Sequence, residues 1–261
     1  MIGVFDSGIG GLTVVRALME CLPGYDVLYF GDTARMPYGS KSPSTVVKYA
    51  IENTEFLLSE GVQAVVLACN TASSVAPDIL RRRYDIPFFE VITPAAEMAV
   101  QSSRKGRIGI IGTRATVSSG VYETVIKKMQ PEYRVFASAC PLLVPLVEEG
   151  WLHKPETAMI VKKYLRPLKT RQIDTLSLGC THYPLLTDLI QAKIGRRVRV
   201  IDSSTGVANR MRSLIEQDTD LQKRLKREGR YRFFVSDTTP QFESIARSIL
   251  KRPIQLETYT G

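Results

Sequence analysis

Val65-Val66-Leu67-Ala68-Cys69-Asn70-Thr71 is echoed 111 residues later by Leu176-Ser177-Leu178-Gly179-Cys180-Thr181-His182. Each stretch is a short apolar run, then a small residue, a cysteine and polar residues, the pattern of a buried strand leading into a loop. Working outward, the opening Ile2-Gly3-Val4-Phe5-Asp6-Ser7 returns as Ile108-Gly109-Ile110-Ile111-Gly112-Thr113, an offset of 106, and Val91-Ile92-Thr93 is matched with Val200-Ile201-Asp202. Matches in one order at nearly one offset imply two homologous halves.

Short β-rich runs alternate with helical patterns along the chain, the form of an α/β protein with buried parallel strands. Candidate strands are Ile2–Phe5, Val27–Phe30, Ala64–Ala68, Phe88–Ile92, Ile108–Ile111, Val135–Ser138, Thr175–Leu178, Val198–Ile201 and Arg232–Val235. One helix is well marked: Ser42 can cap it, Pro43 suits its first turn, apolar residues recur from Val46 to Leu58, and Gly61 should end it. The expected fold is therefore α/β, with two pseudo-symmetric doubly wound parallel-sheet domains facing a central cleft. Residues after about Asp202 have no counterpart behind the second half, so they are expected to return to the first. This gives one lobe of residues 1–96 plus 207–261 and another of 97–206.

A length of 261 residues suits one large domain or two ordinary ones. Hydrophobic residues at 44%, charged residues at 23% and a mean hydropathy of -0.04 describe a soluble globular chain. No apolar run reaches the ~20 residues of a membrane span. The opening MIGVFDSGIGG lacks the features of a secretory signal, which points to the cytoplasm and to four free thiols. The formal charge of +9 comes from dispersed basic residues, densest around Lys223, Arg224, Lys226, Arg227, Arg230 and Arg232. No nucleic-acid module accompanies it, which argues against a nucleic-acid partner without excluding one.

In open parallel sheets, ligands bind beyond the carboxyl ends of the strands. Asp6-Ser7, Asp32, Cys69-Asn70-Thr71 and Cys180-Thr181-His182 all fall there. Gly8, Gly10 and Gly11 do not form a dinucleotide fingerprint, since Thr13 stands where its last glycine belongs, but their N–H groups suit a small anion such as a carboxylate. Cys69 and Cys180 stand in matched polar contexts, each expected at a helix start that would lower its thiol pKa. Cys21 and Cys140 lack that context and read as structural. Two sulfurs on opposite faces of one carbon can remove a proton from one side and deliver one from the other, inverting the centre. Neither paired cysteine spacing nor a two-histidine helix motif is present, so no metal is expected. A Cys–His hydrolase using His182 is also compatible, but leaves one cysteine motif without a role.

Asp6-Ser7-Gly8-Ile9-Gly10-Gly11, Gly31-Asp32-Thr33-Ala34-Arg35-Met36-Pro37-Tyr38-Gly39, Cys69-Asn70-Thr71-Ala72-Ser73 and Gly179-Cys180-Thr181-His182-Tyr183-Pro184 together resemble the aspartate/glutamate racemase family, on its glutamate racemase side. The resemblance runs along essentially the whole chain. It implies a cofactor-independent isomerase of glutamate that supplies D-glutamate for peptidoglycan and cell shape, usually as a homodimer. By the same resemblance Cys69 and Cys180 are the two acid/bases, Asp6 and His182 assist them, and Asp32 and Glu148 are secondary candidates. Substrate would be bound by Asp6, Ser7, Tyr38, Gly39, Asn70, Thr71, Thr181 and His182. Aspartate-specific relatives generally carry Glu where this chain has His182. Tyr38-Gly39 alone reads as a turn with Tyr38 packing, and the sequence does not choose between Glu148 and Glu149 as the residue facing the cleft.

Overall fold

The computed structural model describes residues 1–259, and its strands fall into two all-parallel sheets. The strands are β1 (Ile2–Asp6), β2 (Val27–Gly31), β3 (Ala64–Leu67), β4 (Phe88–Glu90), β5 (Arg107–Gly112), β6 (Arg134–Ala139), β7 (Thr175–Gly179), β8 (Arg199–Asp202), β9 (Tyr231–Val235) and β10 (Leu256–Thr258). The first sheet runs β10-β9-β2-β1-β3-β4 and the second β6-β5-β7-β8. The order β2-β1-β3-β4 is thus repeated as β6-β5-β7-β8, and the two cysteine motifs follow β3 and β7, equivalent strands of the two halves.

Both sheets are covered on both faces, which is why β1, β3 and β7 are buried at every position and read as nearly unbroken apolar runs. On one face of the first sheet, Leu12, Val15 and Leu18 pack with Val207, Met211 and Ile249. On the other face lie Val46, Ala50, Leu57 and Leu80. The second sheet is enclosed by Val161, Leu165 and Ile190 on one side and by Ala95, Ala99, Tyr122 and Ile126 on the other. The helix marked by Ser42 runs Pro43–Ser59, with the Ser42 side chain accepting from the Thr45 N–H.

The structure refines the sequence reading in places. The strand expected at Phe88–Ile92 stops at Glu90, because the Glu90 carboxylate accepts from the N–H groups of Ile92 (2.6 Å) and Thr93 (3.0 Å) and so starts the helix Ile92–Ser102. Asp202 does the same at the end of β8, accepting from Ser204 N–H at 2.9 Å. Glu90 is therefore the structural partner of Asp202, and the pairing of Val91-Ile92-Thr93 with Val200-Ile201-Asp202 is out of register. Cys180 leads into a 3-10 turn, Tyr183–Leu186, and the α-helix begins only at Thr187. The expected lobe boundaries near residues 96 and 206 fall inside the helices Ile92–Ser102 and Ser203–Gln217, which pack against each other.

The chain re-enters the first sheet through β9, which pairs in parallel with β2, and β10 adds the edge. The register of β9 is held by Asp26, just before β2. Its carboxylate accepts from the N–H groups of Glu228 (2.8 Å) and Arg230 (3.1 Å) while it is itself buried. Replacing Asp26 by Ala strips both donors of their acceptor and should lower stability by about 1–3 kcal/mol. A fall in the urea midpoint with an unchanged slope would show it; an unaltered midpoint would mean that β9 is placed by packing alone.

Candidate active site

The carboxyl ends of β1, β3, β5 and β7 converge on a narrow cavity with a volume of about 20 Å³. Its walls are Ser7, Met36, Pro37, Tyr38, Gly39, Cys69, Asn70 and Thr71 from the first half, and Thr113, Val144, Glu148, Cys180, Thr181 and His182 from the second. Both sulfurs therefore face the same small space, each from its own sheet.

The two cysteines are buried to a similar degree but have different company. Cys69 is the residue capping the four-residue helix Asn70–Ser73, and its thiol donates to Ser7 Oγ at 3.5 Å. Burial pushes this thiol up to about 12, with the nearby Asp6 charge adding to the effect. The sequence-based expectation that a helix start would lower it is thus overturned: one helical turn does not offset loss of water. Cys180 instead sits 3.8 Å from His182 Nδ1, and His182 Nε2 lies 3.1 Å from Glu148 Oε1, close but not aligned as a hydrogen bond. Burial alone would lower the His182 pKa; its contacts with Cys180 and Glu148 outweigh this and hold it well above the ordinary imidazole value. Cys69 is thus kept as a thiol, whereas the neighbour of Cys180 is the imidazole of His182.

The anion cradled by the glycine turn belongs to the protein itself. Asp6 Oδ2 accepts from the N–H groups of Gly8 (3.2 Å) and Gly11 (2.9 Å), and the Thr181 hydroxyl reaches the same carboxylate at 3.4 Å. Burial raises the Asp6 pKa, opposed by the His182 charge and by these N–H donors. Gly10 has another reason to be glycine: a Cβ there would stand 2.5 Å from His182 Nδ1. A Cβ on Gly39 would stand 2.5 Å from Thr113 Cβ, so the halves meet at both positions without side-chain clearance.

Of the residues singled out in the sequence, Ser7, Tyr38, Gly39, Cys69, Asn70, Thr71, Thr181, His182 and Glu148 line the cavity. Glu148, not Glu149, is the one that faces it. Asp6 lies beneath the cavity wall and makes no hydrogen bond to Cys69; the direct neighbour of that thiol is Ser7. Asp32 is outside the cavity. It is fully buried, gripped by Arg35 Nε at 2.9 and 2.8 Å and by the Tyr38 hydroxyl, and so acts as an anchor for the Tyr38-Gly39 turn.

Sequence reasoning misses Thr113, although the repeat makes it the counterpart of Ser7. Its hydroxyl lies 2.9 Å from that of Thr71 and 3.0 Å from that of Thr116, and Thr71 and Thr116 are 3.2 Å apart, a triangle of hydroxyls spanning both halves. The basic residues also gather where their density in the sequence does not indicate. Arg104, Lys105, Lys169, Arg196, Arg197 and Arg199 line a broad groove, whose wall also includes Asp174 beside the start of β7, at the opposite end of that strand from Cys180. No thiol lines that groove.

A family model described as Asp/Glu/hydantoin racemase matches residues 2–211. The chain is 46% identical over 254 residues to a glutamate racemase of Syntrophus aciditrophicus, covering 97% of this chain and 93% of that one. It superimposes with a TM-score of 0.93 on a glutamate racemase isoform of Bacillus anthracis, at 36% identity over 99% of this chain and 97% of the other. A glutamate racemase of Francisella tularensis solved in complex with D-glutamate gives a TM-score of 0.90 at 38% identity, with the same coverage. Among the described residues, no helix is long and apolar enough to cross a membrane.

Two outcomes are expected of this geometry. Gly39→Ala forces the Tyr38-Gly39 turn away from Thr113 and should cost about 1–3 kcal/mol, as overpacking of close contacts does, read as a lowered melting temperature. The His182 imidazole, followed by NMR, should stay protonated well above its usual ~6.5. Because its folded pKa is raised, its contribution to stability is complete below the unfolded value and disappears as pH rises through the folded one. Glu148→Gln removes a facing negative charge and should move that loss to lower pH; an unmoved titration would separate the two residues.

Proposed function

This chain belongs to the Asp/Glu/hydantoin racemase family, and from that membership we propose that it interconverts L- and D-glutamate by proton transfer between two cysteines. The observation that carries the reading is the placement of Cys69 and Cys180 after equivalent strands, facing one cavity. The relatives named glutamate racemase and the Francisella tularensis structure with D-glutamate support the choice of substrate.

In the proposed reaction one sulfur, as thiolate, takes the Cα proton and becomes a thiol. The electron pair left on Cα is delocalised into the neighbouring carboxyl group, where hydrogen-bond donors of the cavity stabilise the growing charge. The opposite sulfur, as thiol, gives its proton to the other face of Cα and becomes a thiolate. One proton is removed and one delivered, and configuration inverts. The protonation states of the two sulfurs exchange, so the reverse reaction starts from the state the forward one leaves. Cys69, held as a thiol, suits the donating role, while His182 and Glu148 suit proton exchange with Cys180. Ser7, Tyr38, Gly39, Asn70, Thr71, Thr181 and His182 are proposed as substrate contacts, with Asp6 and Asp32 holding them in place. Every step is carried by side chains of this chain. The D-glutamate is proposed to enter peptidoglycan, in the cytoplasm, from a homodimeric enzyme.

Incubation with L-glutamate in D2O, without added cofactor and with L-aspartate in parallel, tests this directly. Loss of optical activity with deuterium entering Cα of glutamate is the expected result. Cys69→Ala and Cys180→Ala should each lower racemisation by about a thousandfold or more, the scale of losing a positioned acid or base. Full activity in either variant would sink the two-cysteine mechanism, and turnover of aspartate alone would sink the choice of substrate.

A further inference from the structure

Half of the Asn70 side-chain amide is engaged and half is not. Its Oδ1 accepts a hydrogen bond at 2.8 Å from the hydroxyl of Tyr122, which lies on the helix Val121–Met129 of the second half. Its Nδ2 is buried and has no partner among the described residues. Native structures rarely leave a buried donor unpaired, and Asn70 is only 2% exposed on the wall of the cavity between the two sulfurs. The orphan N–H2 group therefore calls for an acceptor that the cavity receives.

We infer that Tyr122 is a positioning residue: by holding the carbonyl end of the Asn70 amide, it leaves the N–H2 end to donate to a carboxylate of the substrate. The inference rests on the glutamate racemase reading and deepens it. The two ends of a primary amide are nearly the same size, so shape alone does not choose between its two orientations. A carboxylate does choose, because it only accepts; a reversed amide would set a carbonyl oxygen against it. A phenol hydroxyl can donate or accept, so Tyr122 does not forbid the reversed amide; by donating to Oδ1 it stabilises the productive orientation before substrate arrives. Burial pushes its phenol up from the ordinary value, so the hydroxyl keeps the hydrogen it donates. Tyr122 and Asn70 also come from different halves, so the amide is oriented only when the halves are docked, which links a formed cleft to a binding-competent one.

The test is a double-mutant cycle on the full chain. Tyr122→Phe keeps the ring and removes only the hydroxyl. It should raise KM for L-glutamate by about threefold to tenfold, part of the value of a hydrogen bond to a charged group, while kcat changes by less than about twofold. Asn70→Ala should raise KM at least as much, and in that background Tyr122→Phe should add nothing. An unchanged KM in Tyr122→Phe, or effects that multiply in the double variant, would overturn the assignment. Melting temperatures are recorded for every variant, and Asn70→Ser replaces Asn70→Ala if the latter does not fold. Calorimetric binding of L-glutamate on the same proteins keeps the two readings apart. Wild-type protein that binds glutamate without racemising it would sink the proposed reaction, and the cycle would then be read in Kd. Wild-type protein that does not bind glutamate would overturn both.

Discussion

A carboxylate shut away from water must be surrounded by donors, and Asp6 meets that demand from two directions at once. The backbone of its own glycine turn supplies two N–H groups, and Thr181 brings a hydroxyl from the other half of the molecule. The turn is thereby drawn tight beneath the cavity, with Gly10 against His182. The charge also acts at a distance: it is felt by Cys69, which it helps to keep protonated, and it is balanced by the imidazole of His182. The joint between the halves and the electrostatics of the cleft depend on the same buried group.

The repeated topology supplies symmetry that the side chains then break. Equivalent strands deliver Cys69 and Cys180 to facing positions, but the residues around them diverge. Ser7 is the neighbour of one sulfur; His182, with Glu148 behind it, is the neighbour of the other. Inversion of one carbon needs two groups in mirror-related places and in opposite protonation states. A duplicated fold provides the facing places, and unequal surroundings make the two sulfurs chemically distinct.

Most of the fold and the cleft is legible in one sequence because the signals are local or periodic. Apolar runs locate all nine expected strands, and the cysteine echo locates both halves of the cleft. The features that escape such a reading depend on contacts across the chain. β10 is three residues long with a charged centre and exists because β9 offers it an edge. The Cys69 thiol is governed by burial, which a helix-start pattern does not reveal. Asp32 stands in a stretch that carries the family resemblance but spends its oxygens on Arg35, Tyr38 and Ser236, partners near and far in sequence. Val144 and Met36 reach the cavity as apolar side chains with no chemical mark. Thr113 does carry a signal, since the repeat aligns it with Ser7, but a hydroxyl at a strand end is common, and only its contact with Thr71 across the cleft gives it meaning.

The hydroxyl triangle of Thr71, Thr113 and Thr116 bears on how the cleft wall can present either hydrogens or lone pairs from the same atoms. Each oxygen has a neighbour close enough to give or take a hydrogen, and nothing in the heavy-atom geometry assigns the direction. The ring of O–H bonds can run clockwise or anticlockwise, and can turn any one hydrogen outward, by rotation about single bonds alone. The hydrogens of this corner can thus be rearranged while its heavy atoms stay where they are.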